Sequence, residues 1–140
     1  MFYLSMAKSK IINGNQNVEL GDLIAYNGKT PLFYLKYMQD LSSALQAGHY
    51  ELQIITTLKN MQLARFSAKF ADSTKARAIS IVGTNKIFKV GNTSNECAGD
   101  IILGVSENGL GRLMKSITAN VELFDFILKC GSKNIKLIVK

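Results

Sequence analysis

Five cations, Lys29, Lys59, Arg65, Lys86 and Lys89, are the side chains whose type and placement suggest chemistry in this chain. Lys29 stands in Gly28-Lys29-Thr30, at what reads as a strand–helix junction. Lys59 and Arg65 follow the next strand-like run, and Lys86 and Lys89 lie on one arm of a strand-like pair. Ammonium and guanidinium groups gathered on one surface neutralise phosphates and release the counterions condensed on a polyanion. Such contacts carry affinity and little sequence information. The bland alternative for the same five residues is dispersed surface charge.

The charge balance points the same way. The chain has 17 Lys and Arg against 10 Asp and Glu, a net charge of +7. Residues 1–90 hold 11 of those cations and 5 of those acids. A basic surplus confined to one part of a small protein suggests an anionic partner such as DNA or RNA.

Other chemistries are poorly supplied. A phosphate loop needs G-x-x-x-x-G-K-[ST], and its first glycine would fall at Leu23. His49 is the only histidine, which rules out a His-rich metal site, and it reads as a solvated turn residue. Cys97 and Cys130 form no CxxC pair and read as free thiols. Glu96, Asp100 and Glu107 gather near one loop, where such acids usually only solvate the backbone. "GVSENGLGR" (104–112) lacks dinucleotide-loop spacing and reads as a turn. No catalytic residue, metal or cofactor is assigned.

Length and composition favour one folded domain over residues 1–140, with 47% hydrophobic and 19% charged residues. No apolar run approaches the roughly 18 residues of a membrane span. The opening "MFYLSMAKSK" is too short for a secretory core, and its lysines lie on the wrong side of the apolar patch. These features predict a cytoplasmic or otherwise intracellular protein, with residues 1–16 a flexible N-terminal segment. The acceptor pattern at Asn92 carries little weight without secretion.

The elements that must position the cations read as follows. "NVELGDLIAY" (17–26) is a strand. Thr30 suits an N-cap and Pro31 a first helical position, and Tyr34, Met38, Leu41 and Leu45 recur at helical spacing over 31–47. "YELQIITTL" (50–58) is a strand, followed by a second helix at about 59–71. Residues 76–90 form either a hairpin turning at "GTN" or one long strand bulged at Gly83. "DIILGV" (100–105) is a short strand, and 109–129 is a helix whose centre also fits a strand, stopped by Gly131. "NIKLIVK" (134–140) closes the chain as a strand. This βαβα order, with strands after it, predicts an α/β (α+β) sandwich with a mixed sheet.

The stretch "NGKTPLFYLKYMQDLSSALQAGHYELQIITTLKN", followed by "ISIVGTNKIFKV", resembles the Alba superfamily of small nucleic-acid-binding proteins over about residues 17–91. The resemblance implies an Alba-like core with an added element over 92–131, a homodimer or higher oligomer, and binding of DNA or RNA through the backbone. It implies that Lys29 is the lysine of a G-K-x-P turn touching nucleic acid. Lys59 and Arg65 would lie near a second turn, and Lys86 and Lys89 on a hairpin along a groove. The expected function is therefore a non-enzymatic nucleic-acid-binding protein. The rival is a structural or assembly subunit, of a viral particle or larger complex, that binds through apolar surfaces.

Overall fold

The computed structural model describes residues 1–14, 16–65, 70–72 and 74–140. In chain order the strands are β1 (Phe2–Ile12), β2 (Val18–Asn27), β3 (Thr30–Asp40) and β4 (Gly48–Thr57). A one-turn helix, α1 (Met61–Ala64), precedes β5 (Ala71–Asp72), β6 (Lys75–Ile81) and β7 (Ile87–Lys89). β8 (Ile101–Gly104), β9 (Ser106–Glu107) and β10 (Leu113–Met114) lead into α2 (Ser116–Cys130) and β11 (Ile135–Val139).

Eight of these strands close into a barrel in the order β4-β11-β1-β2-β3-β8-β7-β6, with β6 pairing back to β4. The β1–β11 and β7–β8 pairs are parallel, and the other six are antiparallel. Closure leaves the barrel with no long unpaired edge. The expected α/β sandwich and its Alba-like βαβα layout are thus corrected: the chain is a β-barrel with one long helix among the described residues.

The largest departure is β3. Tyr34, Met38, Leu41 and Leu45 fit a helical period, but Phe33, Leu35 and Tyr37 alternate into the interior while Tyr34 and Lys36 face out. Aromatic and aliphatic side chains suit that pleated, half-buried surface. Gly28-Lys29 is consequently the two-residue turn of a hairpin, since Asn27 pairs with Thr30. Gly28 takes φ 62° while Lys29 keeps negative φ, the turn chemistry that matches strand twist.

Residues 2–12, expected to be flexible, form β1 between β2 and β11. The 92–131 segment, expected as an addition, supplies barrel strand β8 and helix α2. The second helix expected over 59–71 is reduced to α1, and residues 66–69 lie outside the described set. The 76–90 segment is the hairpin β6–β7, turning at Gly83 with φ 84°.

The interior is apolar, with Leu4, Met6, Leu23, Leu35, Ile81 and Leu103 among its fully buried side chains. α2 seals it with Ala119, Leu123, Phe124 and Ile127, spaced as a helix face requires. Phe126 meets Phe2 and Phe33 edge-on, at ring-centroid distances of 5.9 and 5.4 Å. A second, smaller cluster of Val18, Leu20, Met38, Cys97, Ile102 and Leu113 packs on the opposite side of the barrel wall. On the interior side Gly21 permits close packing, because a Cβ would strike the Ala7 carbonyl oxygen and the ring of Tyr37 opposite it. No described helix is long and apolar enough to cross a membrane.

The β9–β10 ribbon is tied to β1 by Glu107, which lies 2.7 Å from Lys10 Nζ. That ammonium, with the Gly111 and Gly109 N–H groups, holds the Glu107 carboxyl below the usual carboxylate range despite partial burial. A carboxyl depressed by folding contributes stability above its unfolded pKa, about 4.3, and loses it as pH falls through the folded value. Thermal unfolding of wild type and Glu107→Gln should therefore differ most at neutral pH and converge under acid. A melting-temperature difference that stays constant with pH would contradict this.

Candidate nucleic-acid interface and the Asp100 cluster

The five cations do not share one surface. Lys29 is exposed at the tip of the β2–β3 hairpin and forms no ion pair among the described residues. Arg65 is exposed just after α1, with no hydrogen bond or ion pair joining it to the others. Lys59 and Lys89 converge instead on one buried acid, Asp100, and Lys86 is held beside it by the Gly99 carbonyl.

Asp100 immediately precedes β8 and is 1% exposed. Burying a carboxylate requires partners, because an unpaired charge loses far more hydration than packing returns. Its Oδ1 accepts the Ile87 N–H at 3.1 Å and Lys59 Nζ at 3.4 Å. Its Oδ2 lies 3.2 Å from Lys89 Nζ but is not aligned for a hydrogen bond. The parallel pairing of β7 with β8 sets Lys89 opposite Ile102, so its side chain falls on the same side of the wall as Asp100. Asn120 of α2 donates to the Lys89 carbonyl at 3.1 Å and fixes that backbone from behind.

Lys86 is also buried, and its Nζ donates to the Gly99 carbonyl at 2.7 Å and to Ser43 Oγ at 3.4 Å. Burial pulls its pKa below the usual lysine value, and the nearby Asp100 and Asp40 charges pull the other way. Neither Lys86 nor Lys89 projects along a groove, as a hairpin reaching for nucleic acid would require.

Lys59 is about half exposed and lines openings on either side of itself. One, of about 370 Å³, also includes Asn60, Met61, Lys89, Val90 and Glu96. The other, of about 470 Å³, also includes Thr57, Ser80, Thr84 and Asn85. Cys97 beside the cluster is no nucleophile, because burial first, and the Asp40 charge second, push its thiol pKa up to about 12. Among the described residues no group of three or more His, Cys, Asp or Glu could hold a metal ion.

A different surface combines cations with aromatic rings. The pleat turns Tyr3 of β1, Tyr26 of β2 and Tyr34 of β3 to the outside of the barrel. Tyr3 pairs directly with Tyr26, their rings stacked at 4.9 Å, and with Lys136 of β11 on its other side. Tyr34 stands opposite Ile24 and is 62% exposed. Lys36 pairs with Asp22 on this face, and Lys136 lies 3.6 Å from Glu51. The sequence reading missed these tyrosines because it placed Tyr34 on a helix and Tyr3 in a flexible segment. Their alternation with Leu4, Ala25 and Leu35 was the available signal.

No protein family, curated protein or solved structure matches this chain.

Asp100→Asn should cost about 3–5 kcal/mol, because it strands the buried Lys89 ammonium. Lys59→Gln, which removes a half-exposed partner, should cost less than about 1 kcal/mol. Urea unfolding of both variants measures the contrast, and equal small losses would contradict the central role of Asp100.

Proposed function

We propose that this is a non-enzymatic protein that binds single-stranded DNA or RNA on the outer face of β11, β1, β2 and β3. The observation that carries the reading is the set of outward tyrosines on adjacent strands, with lysines beside them. Base stacking on an exposed aromatic ring is tolerant of sequence and contributes about 1–3 kcal/mol per base. Tyr34 offers an open ring, and the Tyr3–Tyr26 pair offers a second aromatic surface beside it.

Phosphates need cations near those rings. Lys29 at the hairpin tip is uncommitted. Lys36 and Lys136 are held only by partly exposed acids, and such surface pairs contribute about 0–1 kcal/mol, so a phosphate can replace the acid. The overall charge of +7 steers a polyanion toward the protein. Lys29 keeps its role in this reading, while Lys59 and Lys89 are engaged by Asp100 and Lys86 by the Gly99 carbonyl. A cytoplasmic or otherwise intracellular setting accords with free Cys97 and Cys130.

Fluorescence anisotropy with a labelled mixed-sequence single strand, at two salt concentrations, tests the reading. Tyr34→Ala should weaken binding about 5- to 100-fold. Lys29→Ala should lower the slope of log affinity against log salt by about 0.7. Absence of binding at low salt would overturn the proposal. So would an equal loss on Lys59→Gln, which lies off this face. Self-association that is lost on Tyr34→Ala, without nucleic-acid binding, would assign the face to assembly instead.

A further inference from the structure

Two ammonium groups drawn onto one buried acid is more charge than the barrel needs for stability. A buried ion pair is often no better than apolar packing of the same volume. Asp100 and Lys89 form the floor of this arrangement, and both are more than nine-tenths buried. Asp100 lies behind, drawing the ammonium groups of Lys59 and Lys89 toward one carboxylate. Both lysines line the same opening of about 370 Å³, within the range of about 300–1,000 Å³ typical of small-molecule sites.

The hydrogen bonds at this opening are incomplete at Lys89. Among the described residues its Nζ has only the unaligned Asp100 Oδ2 at 3.2 Å, whereas Lys59 Nζ also donates to the Asn85 carbonyl at 3.3 Å. Glu96 also lines the opening, but its Oε1 already accepts the N–H groups of Asn92 and Thr93 and the Thr93 hydroxyl. Those donors stabilise the Glu96 charge without help from the lysines. Asn60, 2% exposed, adds an amide to the wall and is fixed by accepting the Val90 N–H at 3.1 Å. Leu58, Met61 and Val90 supply apolar surface beside these polar groups.

We propose that this opening binds a small oxyanion, a carboxylate or phosphate group on a short apolar body, between Lys59 and Lys89. An oxyanion gives Lys89 Nζ the hydrogen-bond acceptor that Asp100 Oδ2 does not provide, and adds a charge-assisted contact to Lys59. Its body lies against Leu58, Met61 and Val90. Lys89 is too recessed to meet the backbone phosphates of a polymer, so the occupant is a small molecule and not the strand bound on the tyrosine face. The site is independent of that face and stands or falls without it.

The test is a ¹H–¹⁵N titration of the full chain with inorganic phosphate and, separately, with butyrate, at constant ionic strength. Saturable shifts should be confined to amides of residues 58–62, 89–90 and 95–98. Lys59→Met, a half-exposed position that spares the fold, should weaken binding at least about tenfold, as loss of one charge-assisted contact requires. Tyr34→Ala should leave the titration unchanged. A response to phosphate alone identifies a phosphoryl ligand, and a response to butyrate alone identifies a carboxylate. The inference is overturned if neither probe gives saturable shifts, or if the shifts spread over exposed lysines such as Lys29. It is also overturned if Lys59→Met titrates like wild type.

Discussion

The carboxylate of Asp100 decides where two of this protein's lysines can go. Once β8 pairs with β3 on one side and β7 on the other, Asp100 is carried out of water at the start of that strand. The energetic demand of a buried anion then recruits every cation within reach: Lys89 from the facing strand and Lys59 from the β4–α1 turn. Lys86 is held nearby by the Gly99 carbonyl, one residue before Asp100. The β6–β7 hairpin, basic on paper, is consequently turned inward, and the wall of a cavity is built from its charges.

Barrel closure and this cluster support one another. β7 has only three residues and would be a weak element alone. Ladder bonds to β6 and β8, the Asp100 bond to the Ile87 N–H and the Asn120 bond to the Lys89 carbonyl hold it in the wall. α2 therefore does more than cover the interior with Leu123 and Phe124. Its buried Asn120 connects the helix to the strand that presents Lys89. The outer wall from β11 to β3 is covered in part by the β9–β10 ribbon and Cys97, which pack on Val18, Leu20 and Met38. Its other part carries Tyr3, Tyr26 and the exposed Tyr34.

Local signals in the sequence were readable where the structure is local. The strand at 17–26, the closing strand and a helix ended by Gly131 follow from turn residues and periodicity. The helix expected from 109 begins only at Ser116, after β10, and the hairpin was one of two forms open to 76–90. What escaped was set by distant pairing. β1 is a strand because β2 and β11 flank it, and nothing within "MFYLSMAKSK" announces a partner 133 residues further on, such as Phe2 facing Ile135. β3 carries apolar residues at both two- and four-residue spacing, and Pro31 at its start fits a helix as well as a strand. The cations were legible by type, but not by direction. Lys29 and Lys89 look alike in the sequence, and only the position of Asp100 across the β7–β8 pair separates them.

The central claim is that Asp100 and the Gly99 carbonyl before it withdraw Lys89 and Lys86 from the surface while Lys29 stays open to an anionic partner. Lysine acetylation of the native protein with a limiting reagent, read site by site by mass spectrometry, measures this most directly. The account predicts rapid labelling of Lys29, intermediate labelling of Lys59, and labelling of Lys86 and Lys89 at least about tenfold slower than Lys29, as groups that react only on local opening. Labelling of Lys86 and Lys89 at the rate of Lys29 would contradict it.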